Sequence, residues 1–127
     1  MKKIITLIVL FCCLSNGFSQ ALENGDYTAN VMLVTDKTKI FTIYFTVEEG
    51  VVKELGVGDE AKSSTIAKGN VTTYSWINTK DGVCLSNTFI FTKDKTNNKI
   101  FLDFFMVYLK DGGFPIEKLG IGQVIKF

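Results

Sequence analysis

Four features of this 127-residue chain have residue types that could do chemistry: Cys84, the pair Thr65 and Lys68, the acids Asp59-Glu60, and the glycines Gly56 and Gly58. Each lacks a partner that its reaction requires. A cysteine nucleophile needs a base to take its proton, and the chain contains no histidine. Cys84 alternates with Val83 and Leu85 and shares a face with Ser86 and Thr88, so it reads as an inert thiol. Thr65-Ile66-Ala67-Lys68 places a hydroxyl three residues before a lysine, as in the Ser-x-x-Lys of penicillin-binding enzymes, but with threonine and without the companion motifs. Gly56-Val57-Gly58-Asp59-Glu60-Ala61 fits a loose dinucleotide fingerprint, yet no helix-length segment follows to receive a pyrophosphate. The acids show no D-x-D-x-D spacing, so no calcium loop is expected. Asn70-Val71-Thr72 fits a glycosylation sequon but sits at a turn. No catalytic residue, metal ligand or cofactor is expected, and an enzyme is the least favoured class.

Composition narrows the partners. The chain has no arginine, so planar bidentate recognition of phosphate or carboxylate is missing. Lys2 and Lys3 precede a segment, Ile4 to Leu14, that is apolar except for Thr6. Gly17 and Ser19 then fit the small positions before a cleavage site at Gln20. Residues 1–19 therefore read as a secretory signal, and 20–127 as one domain, exported to the periplasm or outside the cell. The apolar run is too short to span a bilayer, which takes about 20 residues. Loss of Lys2 and Lys3 leaves twelve lysines against 13 acids, a net charge of −1. That balance offers no footprint for nucleic acid. Cys12 and Cys13 lie in the signal, so Cys84 has no internal partner for a disulfide.

The elements that must position any site are strands. From Lys39 to Val47, Phe41, Ile43, Phe45 and Val47 alternate with Thr42, Tyr44 and Thr46, a period of two. Similar runs cover Tyr27–Val34, Val51–Val57, Val71–Asn78, Val83–Thr92, Lys99–Leu109 and Leu119–Phe127. Residues 59–68 contain either a short helix capped by Asp59 or an edge strand over 64–68, and the strand is preferred because no apolar helical stripe appears. Asp81-Gly82 between two such runs signals a tight hairpin. No segment has the length of a crossover helix, so pairing must be antiparallel. The expectation is all-β: an antiparallel meander of seven or eight strands forming a small barrel, with a two-sheet β-sandwich as the alternative.

Asn24-Gly25-Asp26-Tyr27 resembles the Gly-x-Trp opening of lipocalin-like (calycin) barrels, with Tyr27 in the place of the tryptophan. The stretch Leu22 to Ala29 is also similar to the opening of small exported bacterial proteins of unassigned role. The calycin resemblance implies a carrier of an apolar ligand and brings no catalytic residues.

Two places stand out as candidate sites. Along one face of their strands, Asn87 lies among Val83, Leu85, Phe89 and Phe91, and Gln123 lies among Leu119, Ile121, Ile125 and Phe127. Buried amides need partners, and a few polar groups in an apolar lining is how small-ligand sites are built. Asn87, Gln123, Phe89, Phe91 and Ile121 are therefore expected to share an internal pocket for a small apolar or amphipathic ligand. The second place is the strand 99–109. Ile100, Leu102, Phe104, Met106 and Tyr108 form one apolar face. Phe101, Phe105, Val107 and Leu109 form the other, interrupted by Asp103. Two apolar faces require a cover on both, and a second subunit or protein partner is one such cover. Small-ligand binding and surface assembly are thus the two readings, in that order.

Overall fold

Period-two alternation puts successive side chains on opposite faces of a strand, and eight segments of the chain obey it. The computed structural model describes residues 21–53, 55 and 62–127. The expected signal segment, the Gly56–Ala61 motif and the Asp59 cap lie outside the described residues. The strands are β1 (Gly25–Leu33), β2 (Ile40–Glu48), β3 (Val51–Lys53), β4 (Lys62–Lys68), β5 (Val71–Lys80), β6 (Val83–Lys93), β7 (Ile100–Lys110) and β8 (Ile116–Lys126). The preferred edge strand over 64–68 is present as β4. The last strand starts at Ile116, three residues earlier than its sequence pattern suggests.

All neighbours pair antiparallel in one sheet of order β3-β2-β1-β8-β7-β6-β5-β4. Pairing of β1 with β8 curls the meander into a nearly closed barrel, which decides against the sandwich. The open seam falls between β3 and β4. There the Val52 amide donates to Thr65 Oγ1 at 3.2 Å, so a side chain bridges where no ladder runs. Among the described residues no helix is long and apolar enough to cross a membrane.

The interior is aromatic. Phe45 on β2 meets Phe91 on β6 with ring centroids 5.0 Å apart, although three strands separate them in the sheet. Phe41 on β2 likewise meets Phe104 on β7 edge-on at 5.7 Å. These contacts run straight across the barrel. Such pairs contribute about 0.5–1.5 kcal/mol each beyond the area they bury.

The end of the barrel where β1 begins is packed. Ala21 and Leu22 are buried just before β1. The Tyr27 hydroxyl donates to the Glu23 carbonyl at 2.7 Å, and its ring stacks on Phe45 at 5.2 Å. Lys126 Nζ lies 5.9 Å from the Tyr27 ring centroid. Burial raises the Tyr27 pKa above its ordinary value. The opposite end carries the turns at 34–39, 81–82 and 111–115 and is less filled. Its inward residues Leu85, Met106 and Tyr108 are only half-buried.

Candidate functional site at the mouth of the barrel

The hairpin of β5 and β6 builds the site. Asp81 and Gly82 both have positive φ, 52° and 72°, as a two-residue primed turn demands. Such a turn fixes the register: Lys80 pairs with Val83, Asn78 with Leu85 and Trp76 with Asn87. All six stand on inward-facing register positions, and polarity rises along β5 from Tyr74 through Trp76 and Asn78 to Lys80.

Trp76 is 8% exposed and Asn87 7%. The indole Nε1 of Trp76 and the Oδ1 atoms of Asn87 and Asn78 are buried without a hydrogen-bond partner among the described residues. An orphaned buried polar group costs about 1–3 kcal/mol. Three such atoms lie on this one hairpin. Beside them opens a cleft of about 280 Å³ lined by Trp76, Asn78, Lys80, Val83 and Leu85. Trp76, Val83 and Leu85 give the cleft an apolar and aromatic lining, Lys80 gives it a cation, and the unpartnered atoms of Trp76 and Asn78 are buried behind that lining. Deeper along β5, burial raises the Tyr74 pKa, and a hydrogen bond with the Ser63 side chain works against that rise.

The expected pocket residues do not all meet. Asn87 and Phe89 point inward as anticipated, with Phe89 buried and packed on Phe104 at 5.0 Å. Phe91 also points inward, but its ring is fully enclosed by the core, well below the cleft. Gln123 and Ile121 are on the opposite side of the barrel wall. Gln123 pairs with Phe101 and Asn30, and Ile121 with Asp103 and Met32, all outward positions. The reason lies in β8, which turns Gly120 and Gly122 inward. A Cβ on Gly122 would stand 2.5 Å from the Asn30 carbonyl oxygen, and one on Gly120 2.7 Å from Val31 Cγ1. The side chains of Val31 and Phe104 fill the space at 120 and the β1 backbone fills it at 122, so β8 sends its own apolar residues outside.

Those residues join the second face of β7. Phe101 is 44% exposed, Phe105 36%, Leu119 48% and Ile121 46%. Asp103 and Leu109 are exposed on the same face, and Val107 is half-buried. Met32, Phe101, Asp103, Ile121 and Gln123 border an outer cleft of about 460 Å³. The five expected interface residues thus share one outward surface.

The remaining sequence motifs are placed apart from both sites. Thr65 points inward and accepts from Val52, whereas Lys68 stands on the outward register of β4. Cys84 is a half-buried free thiol beside Leu109 in a cleft at the hairpin end. Asn70 Nδ2 donates to the Lys93 carbonyl at 2.9 Å, a turn contact. Among the described residues, no three His, Cys, Asp or Glu side chains gather as a metal site.

Sequence reasoning found Asn87 but missed Trp76, Asn78 and Lys80. The signal was present: a two-residue turn at Asp81-Gly82 makes residues equidistant from it cross-strand partners, which sets Trp76 opposite Asn87. Comparison with known proteins finds no match: no family model, no curated protein and no solved structure is similar to the chain.

Proposed function

We propose that the chain is an exported binding protein for a small amphipathic molecule, held at the mouth of the barrel. The single observation that carries this is the cluster of unpartnered buried groups: Trp76 Nε1, Asn78 Oδ1 and Asn87 Oδ1 beside an open cleft. The indole requires an acceptor, and the two carbonyl oxygens require donors. A hydroxyl or carboxamide group supplies both. Leu85 and Val83 offer the apolar contact that the body of such a ligand needs. The calycin resemblance at Asn24–Tyr27 agrees with a carrier, though the aromatic packing of Phe45, Phe91, Phe89 and Phe104 moves the site from the barrel centre to its end. Trp76 is the only tryptophan of the chain, so its emission reports on the site directly. Titration with a fluorescent amphipathic probe should quench Trp76, and Asn87→Leu should weaken that response. A probe that binds the parent and Asn87→Leu equally contradicts the proposal.

A second reading is assembly through the outer surface of β7 and β8. It is favoured by Phe101, Phe105, Leu119 and Ile121, four large apolar side chains exposed side by side on adjacent strands. Contiguous patches of this kind mark interaction surfaces.

A further inference from the structure

We infer that the molecule held at the mouth is an anion, its charged group seated on the rim lysines; this rests on the mouth being a binding site. Lys80 lines the cleft beyond Asn78. Lys110 stands on the same inward register, since both Lys80 and Lys110 pair with Val83, one from each side. Lys118 pairs with Met106 on the inward register of β8. Among the described residues none of these three lysines makes an ion pair; the pairs present are Lys39–Asp36, Lys53–Glu48 and Lys126–Glu23. Of the acids at this end, Asp81 and Asp111 belong to turns and line the hairpin-end cleft together with Lys80, and Glu117 lies on the outward register. The inward register positions of the rim thus carry lysines and no acid, while the flanking turns carry the acids.

Geometry sets the ligand's form. Lys80 lies four positions beyond Trp76, which is about 14 Å along a strand at about 3.4 Å per residue. A ligand that spans the cleft carries a donor–acceptor group at one end, a short apolar body against Leu85 and Val83, and a carboxylate, sulfonate or phosphate at the other. Lysine suits such a group as a mobile point charge.

Two probes differing only in charge test this: 8-anilinonaphthalene-1-sulfonate and its neutral parent N-phenyl-1-naphthylamine, followed through quenching of Trp76 in the mature chain. The anion should bind more tightly than the neutral probe. Its affinity should fall about fivefold or more in the double variant Lys80→Gln with Lys110→Gln and weaken with added salt, as a rim ion contact does. The neutral probe should stay within about twofold in the same variant, and Lys37→Gln, in a turn at the same end, should change neither. Equal affinity for the two probes, with no effect of the double variant, overturns the anion inference and leaves the mouth as a site for neutral molecules. Failure of both probes to quench Trp76 overturns the anion inference and the binding site together. Loss of binding in Phe101→Ser instead assigns the probe to the outer cleft and also overturns the inference.

Discussion

Trp76 and Asn87 face each other across the β5–β6 ladder, both nine-tenths buried, and among the described residues neither the indole N–H nor the amide oxygen has a hydrogen-bond partner. A fold does not leave such a pair unmet without cost. The consequences can be measured.

Asn87→Leu should separate binding from folding. The substitution removes a group whose burial costs about 1–3 kcal/mol, so stability without ligand should hold or rise. Probe affinity should fall. Thermal melts beside probe titration check both. A lower melting temperature with unchanged probe uptake would instead make Asn87 a structural amide.

Gly122→Ala should destabilise the barrel more than Gly120→Ala. The new methyl at 122 would meet a backbone carbonyl at 2.5 Å, whereas at 120 it would meet the end of a valine side chain at 2.7 Å. Overpacking of this kind costs about 1–3 kcal/mol. Urea unfolding of the two variants gives the order directly.

Thr65→Val should loosen the seam. It keeps the side-chain shape but removes the oxygen that accepts from the Val52 amide. A loss of about 0.5–1.5 kcal/mol is expected, with faster hydrogen exchange at the Val52 amide. Thr65→Ser should retain most of both.

Alkaline pH should weaken the fold through Tyr27 and Tyr74. Burial raises both phenol pKa values above the ordinary 10.0. The unfolded chain therefore loses these protons first as pH rises. Their contribution is fully present below pH 10 and is lost as pH climbs from 10 through the higher folded values. Melting temperature against pH should fall in that window, and less steeply in Tyr74→Phe.

The strand pattern was legible because alternation and turn chemistry are local. Phe41 to Val47 and Asp81-Gly82 announce their structures without help from the rest of the chain. The face of β8 was not legible. Leu119, Ile121 and Ile125 look like a core face, and only the crowding by Val31, Phe104 and the Asn30 carbonyl explains why glycines point inward instead. For the same reason Gln123 resembles Asn87 in sequence yet lies on the other side of the wall. The two apolar faces of β7 were visible, but the cover expected for the second face is not supplied by the described chain: Phe101 and Phe105 remain exposed.

That exposure makes its own forecast. If the outer surface joins copies of the chain, the protein over residues 20–127 should elute as an oligomer, and Phe105→Asp should yield a monomer with an unchanged far-ultraviolet circular dichroism spectrum. Burial of one phenylalanine is worth about 1.5–3 kcal/mol, enough to shift the elution. A monomeric parent removes the assembly reading.

Binding of a small molecule at the mouth is tested most directly by mass spectrometry of the gently purified protein under native and then denaturing conditions. An added small-molecule mass is expected on the native parent, lost on denaturation and absent or much reduced on Asn87→Leu. A bare native mass in both proteins, or an adduct carried equally by both, would contradict it.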